Sequence, residues 1–317
     1  MVNFLLLLAG FVALIFGADK LVDGASALAK RYNVPNIVIG LTIVAFGTSA
    51  PELVVNLFAS FNNNSDLALG NIVGSNIFNV MGILGISALI YPLSVKTNTV
   101  WMEIPLSLLS AIVMIILVND IFIDGISPSA ITRIDGLILL AFFIIFMVYN
   151  ITMMVKGGEE EEVETLNLTK GKSLIFILGG FIFLVVGGRL IVNSAVSIAE
   201  TLGVSARIIG LTIVSIGTSL PELATSVIAA RKKNPDIAIG NVVGSNIFNA
   251  FFILGTTAVV HPVALQPGSN IDLSLNIVAS LLLFLFIFTG RRHILDRWEG
   301  GLFLAGYVAY VLWLVTN

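Results

Sequence analysis

Two stretches of this 317-residue sequence occur twice, and both pairs are displaced by the same 170 positions. Residues 40–52, GLTIVAFGTSAPE, return at 210–222 as GLTIVSIGTSLPE with ten of thirteen positions identical; residues 70–79, GNIVGSNIFN, return at 240–249 as GNVVGSNIFN with nine of ten identical. One constant shift means two homologous halves, so the fold must give both halves equivalent roles. The halves occupy 1–155 and 173–317, with a linker at 156–172. The Glu159–Glu162 run beside Gly157 and Gly158 reads as a solvated connection.

The medium follows from composition. Only 11% of residues are charged against about 25% in soluble domains, and the mean hydropathy is +1.03. A membrane-spanning helix needs about 20 apolar residues. Apolar runs fall at 4–28, 37–60, 67–91, 100–118, 134–155, 174–199, 208–230, 237–260, 273–289 and 300–316, which predicts an all-α polytopic membrane protein with ten transmembrane helices. The first run lacks a basic n-region and a clear cleavage site, so it is read as a retained helix.

Sorting the basic residues by loop tests that count. Alternate loops, beginning with the first, hold twelve Lys and Arg, whereas the other set holds only Arg133 and Arg207. Cytoplasmic loops carry the basic excess, so both termini are expected outside a multi-pass cell-membrane protein. Five spans per half is an odd number, so the second half enters the membrane from the opposite side, as inverted-topology repeats do. That arrangement suggests alternating access. There are no cysteines, which removes disulfides and thiolate chemistry, and a net charge of −3 offers no nucleic-acid footprint.

The repeated segments are the polar places inside the spans. Thr48, Ser49 and Glu52 lie three and four residues apart and could share a helix face; Thr218, Ser219 and Glu222 repeat them. Ser75 with Asn79, and Ser245 with Asn249, add hydroxyl and amide oxygens in the third and eighth spans. Pro51 and Pro221 cannot bond the carbonyls of Gly47 and Gly217, and such irregular backbone at membrane depth lines cavities or is buried in protein. The hydroxyls and amides could simply join helices, and Gly70, Gly74, Gly240 and Gly244 read as small-residue packing seams. The two glutamates do not fit that reading. An ionisable group at the membrane centre costs at least ~2.5 kcal/mol and marks function by default, and no basic residue lies within the cluster. Oxygen ligands without His or Cys suit a hard cation such as Ca²⁺, which takes about 6 to 8 of them. The same oxygens can accept Na⁺.

At these residues the chain resembles a known family. GTSAPE with GNIVGSNIFN, and GTSLPE with GNVVGSNIFN, look like the two alpha repeats of the cation/calcium exchanger superfamily, and most of all its prokaryotic sodium/calcium exchanger branch. The resemblance implies that Glu52 and Glu222 are central calcium ligands shared with sodium. Thr48, Ser49, Ser75, Thr218, Ser219 and Ser245 would complete the ion sites, with backbone carbonyls of Ala45 and Ser215, and Asn79 and Asn249 at the remaining positions. Potassium-dependent relatives typically carry Asp at the position of Asn249, so potassium is not expected. The proton/calcium branch usually has a GNxxE-type motif, absent here, which favours sodium.

The expected function is therefore Na⁺/Ca²⁺ antiport, electrogenic if the sodium ions outnumber two. Alternatives are H⁺/Ca²⁺ antiport and, from another class, a cation-selective channel. An enzyme is not expected, since the two histidines, His261 and His293, lie near loops. No cofactor is expected beyond the transported Ca²⁺ and Na⁺; the expected partners are those ions and membrane lipid, with no nucleic acid and no obligatory protein. In the family the first and sixth spans slide across the core. Asp19 and Arg189, related by the 170-residue shift, could form an ion pair there or sit apart as interfacial side chains.

Overall fold

The computed structural model describes residues 2–61, 65–123, 125, 129–156, 165–201, 215–265, 268–290 and 293–316. Most of the linker and the stretch 202–214 lie outside these. The helices are α1 (Val2–Tyr32), α2 (Asn36–Thr48), α3 (Ala50–Phe61), α4 (Ala68–Ile90), α5 (Thr99–Leu117), α6 (Asp120–Ile123), α7 (Arg133–Lys156), α8 (Lys170–Thr201), α9 (Ser215–Thr218), α10 (Leu220–Arg231), α11 (Pro235–Val260), α12 (Ser269–Phe286) and α13 (Arg297–Thr316).

Among the described residues, seven of these are long and apolar enough to cross a membrane: α1, α4, α5, α7, α8, α11 and α12. The α2–α3 pair makes an eighth if counted as one bent span. Helices α9 and α10 fall where the seventh sequence span is expected, but residues 208–214 of that span are not described. Helix α13 falls where the tenth is expected.

Burial separates the helices into a core and a periphery. Of the most apolar 18-residue stretch, 94% is buried in α11 and 83% in α4, against 17% in α7 and 33% in α1 and α8. The outer helices show large side chains to their surroundings, among them Phe4, Val12, Ile145 and Leu178. That is how a chain behaves when its solvent is lipid, because apolar surface then has no reason to turn inward.

At the crossing of the outer helices, contacts between the halves come in pairs related by the 170-residue shift. Helices α1 and α8 cross so closely that a Cβ on Gly17 would stand 2.8 Å from the Gly180 carbonyl oxygen, and one on Gly187 would stand 2.8 Å from the Gly10 carbonyl oxygen. Only glycine permits that backbone approach. Two short antiparallel ribbons also join the halves: β1 (Leu93–Ser94) pairs with β4 (Ile294–Leu295), and β2 (Ala130–Ile131) with β3 (Val263–Ala264). Here Leu93 and Val263 are equivalent positions, each paired to the opposite half.

Widened π-helical turns interrupt the inner helices at Gly40–Val44, Phe78–Leu84 and Phe248–Ile253. Such turns concentrate at functional sites, where they redirect side chains. The Gly240 and Gly244 seam packs against Ile37, Leu41 and Ala45. No described atom meets a Cβ on Gly70 or Gly74; the equivalents of Ile37 and Leu41 are residues 207 and 211, outside the described residues.

Candidate functional site

The site lies where α2 breaks from α3 and α9 from α10. Ser49 leaves the helical region at φ −82°, ψ 6°, and Ser219 does the same at φ −90°, ψ 9°. The α2 and α3 axes differ by 46°. A common helix face for Thr48, Ser49 and Glu52 is therefore not what forms. Pro51, with no N–H to offer the preceding turn, starts a new helix instead, and Thr48 ends the old one. Glu52 and Glu222 each fall in the first turn of the new helices. There the N-terminal end of the helix dipole favours a carboxylate by about 0.3–1 kcal/mol, and by more when partly buried.

Both carboxylates are buried, at 0% and 1% exposure, and each is held by hydroxyls from the opposite half. Ser49 Oγ donates to Glu222 Oε1 at 2.8 Å and Ser219 Oγ to Glu52 Oε1 at 3.0 Å. Ser49 also bonds Ser245 at 2.9 Å, and Ser219 bonds Ser75 at 3.0 Å. Thr48 Oγ1 donates to Asn241 Oδ1 at 3.0 Å, and Thr218 Oγ1 to Asn71 Oδ1 at 3.2 Å. Four asparagines close the ring between α4 and α11: Asn79 Nδ2 donates to Asn246 Oδ1, and Asn249 Nδ2 to Asn76 Oδ1, both at 3.0 Å. Every one of these bonds has its image under the 170-residue shift.

The donors leave acceptors over. Glu52 Oε2, Glu222 Oε2, Asn79 Oδ1 and Asn249 Oδ1 are buried with no hydrogen-bond partner among the described residues. Neither glutamate forms an ion pair with a described Lys or Arg. No third acidic, His or Cys side chain joins them into a metal cluster among the described residues. What remains is two carboxylates and neutral hydroxyl and amide oxygens, a donor set for a hard cation.

The two halves differ at the carbonyls expected as ligands. The Ala45 carbonyl accepts from Ser49 N at 2.9 Å and from Thr48 Oγ1 at 3.3 Å. In the other half Ser219 N turns to Ile216 at 3.1 Å, one residue closer than Ser215; the Ser215 side chain lies outside what is described. Thr48 is fully buried while Thr218 is partly exposed, and a cleft of about 270 Å³ reaches Thr218, Gly217 and Pro51 from between α8 and the core.

Sequence reasoning passed over Asn71, Asn76, Asn241 and Asn246. Their signal was present, since all four sit unchanged in both copies of the GN-x-VGSN segment. The Asp19–Arg189 pair does not form. Asp19 Oδ1 lies 2.6 Å from Lys232 Nζ, which also reaches Asp23 Oδ1 at 2.6 Å, and Asp19 Oδ2 lies 3.0 Å from Lys20. Lys232 follows α10 directly and is much nearer in the fold to this end of α1 than Arg189 of α8 is.

Comparison with known proteins agrees with this arrangement. The model of the sodium/calcium exchanger protein family matches residues 2–152 and 172–316. Sodium/calcium exchanger MaX1 of Methanosarcina acetivorans is 34% identical, with 98% of each chain covered. Inner membrane protein YrbG of Escherichia coli is 33% identical over 98% of this chain and 95% of its own. A solved structure of the sodium-calcium exchanger NCX_Mj, soaked with Na⁺ and Sr²⁺, superposes with a TM-score of 0.84 at 33% identity, covering 98% of both chains.

Proposed function

Because the chain belongs to the sodium/calcium exchanger protein family, we propose that it is a secondary active antiporter exchanging Na⁺ for Ca²⁺ by alternating access. The observation that carries this reading is the pair of buried glutamates, each with one carboxylate oxygen left unpartnered and no cationic side chain paired to it among the described residues. Two uncompensated carboxylates within a membrane are costly, and a divalent cation offsets both charges at once. Glu52 and Glu222 are its central ligands; the hydroxyls of Thr48, Ser49, Ser75, Thr218, Ser219 and Ser245, the amides of Asn79 and Asn249 and the carbonyls of Ala45 and Ser215 serve Ca²⁺ and Na⁺ in turn.

Ten spans in two inverted five-helix repeats, with both termini extracellular and the 156–172 linker cytoplasmic, follow from the sequence repeat and the loop charges. The paired contacts between halves support it, since two near-equivalent halves can exchange conformations and so expose one site to either side. Asn249 argues against potassium. With more than two Na⁺ per Ca²⁺ the cycle is electrogenic, and each net charge is worth ~2.3 kcal/mol per 100 mV.

The test is ⁴⁵Ca²⁺ uptake into proteoliposomes under separate Na⁺, K⁺ and H⁺ gradients. Uptake should follow the Na⁺ gradient and respond to membrane potential. Uptake driven equally by a proton gradient would replace the counter-ion, and currents without gradient coupling would favour a channel.

A further inference from the structure

The cleft that reaches Thr218 and Pro51 is walled by Val54, Val185 and Val192, and among the described residues lining it only Arg189 is charged. Arg189 is exposed and forms no ion pair with a described residue. Asn193, one turn further along α8, also lines the cleft. The floor is adjacent to the site: Thr218 precedes Ser219, the donor to Glu52, and Pro51 precedes Glu52 itself.

The 170-residue shift relates Arg189 and Asn193 to Asp19 and Asp23 of α1. On α1 the two carboxylates are covered by Lys232. The paired outer helices therefore carry opposite charges at equivalent positions: acidic and bridged on α1, cationic and beside an open cleft on α8.

A passage of one sign of charge concentrates counter-ions and repels ions of its own sign. A fixed cation beside a cation path therefore raises the free energy of each entering ion, in proportion to that ion's charge. Ca²⁺ is held off twice as strongly as Na⁺. We propose that Arg189 is a specificity-determining residue that biases loading through this cleft towards Na⁺ and against Ca²⁺. The proposal deepens the exchange reading above and rests on it. In the orientation given there, Arg189 lies in the part of α8 remote from the cytoplasmic linker, so the cleft opens outward and the bias favours calcium release on that side.

The experiment compares wild type with Arg189→Gln and Arg189→Lys in proteoliposomes, measuring initial exchange rates while Ca²⁺ or Na⁺ is varied on each face. At low ionic strength Arg189→Gln should lower the extracellular apparent KM about fourfold for Ca²⁺ and about twofold for Na⁺, the effect of one charge roughly 10 Å away in water. The kcat and the cytoplasmic KM should stay unchanged, and Arg189→Lys should behave as wild type. Both shifts should vanish when choline chloride is raised to about 1 M, where the Debye length is about 3 Å. Equal shifts for the two ions, shifts that persist at high salt, or identical behaviour of the Gln and Lys variants would overturn the proposal. A wild type that exchanges normally beside an unaltered Arg189→Gln overturns this inference alone, whereas a wild type without Na⁺/Ca²⁺ exchange overturns the reading beneath it.

Discussion

Ser49 donates a 2.8 Å hydrogen bond to Glu222, a residue 173 positions further along the chain. Its image, from Ser219 to Glu52, means that each half orients the carboxylate of the other. Removing one hydroxyl takes from a buried carboxylate its bond to the opposite half, at a cost of about 1.5–3 kcal/mol for a charge-assisted bond; Glu222 Oε1 keeps a longer bond from Ser245 Oγ at 3.3 Å. Ser49→Ala and Ser219→Ala should each weaken ⁴⁵Ca²⁺ binding in detergent by about tenfold or more. If the pairing is symmetric in energy as well as geometry, the two losses should be similar; binding unaltered in both variants would remove the serines from the site.

The glutamates themselves should show a trade between stability and binding. With no cation bound, two buried carboxylates burden the folded state, so Glu52→Gln and Glu222→Gln should unfold at a higher temperature than ion-free wild type. Adding Ca²⁺ should reverse the order. At a hundredfold excess over Kd, binding stabilises wild type by about 2.7 kcal/mol, and the double variant should gain nothing. A calcium-dependent thermal shift retained in the double variant would place the ion elsewhere.

How much of this was readable beforehand depends on whether the signal is local. The offset between GTSAPE and GTSLPE marks both glutamates as equivalent, and the lack of a nearby basic residue is what gives them a functional reading, all from the chain alone. The break at Ser49 was only half visible. Pro51 shows that the ladder fails, but not that Ser49 leaves the helix and turns to the far half. The Lys232 bridge was invisible for a different reason: residues 19 and 232 share no pattern, and only packing of α1 against α10 brings them together. The 170-residue shift suggested Arg189 for Asp19, because it relates equivalent positions and says nothing about contacts.

The α1–α8 crossing should be intolerant of any side chain. A Cβ on Gly17 would lie 2.8 Å from both Gly180 O and Leu184 N, and one on Gly187 would lie 2.7 Å from Leu14 N. Those are backbone atoms, so the helices must separate. Overpacking of this kind costs about 1–3 kcal/mol. Gly17→Ala and Gly187→Ala should lower the unfolding temperature, while Gly179→Ala, where a Cβ meets no described atom within 4 Å, should not. Equal effects in all three variants would mean helix propensity rather than contact decides.

Lys232 ties α1 to the end of α10, and if α1 slides across the core during exchange that tie must break once per cycle. Its side chain is 29% exposed and that of Asp19 37%, so solvent screens the pair and each such bond is worth no more than about 1 kcal/mol. That still biases a two-state equilibrium by about fivefold, since 1.4 kcal/mol is a factor of ten. A cleft of about 600 Å³ beside the bridge is lined by Ile228, and the chain has no cysteine, so a single Ile228→Cys reports on opening without background. Lys232→Met removes the bonds to both Asp19 and Asp23 and should raise labelling of that cysteine by a membrane-impermeant thiol reagent by about fivefold or more. Exchanging the charges, as Asp19→Lys with Lys232→Asp, in an Asp23→Asn background that removes the second carboxylate facing residue 232, should slow labelling again relative to either single change in that background, because the attraction is restored across the same gap. Labelling that ignores Lys232→Met, or a double variant no slower than its singles, would show that the bridge does not hold α1 in place.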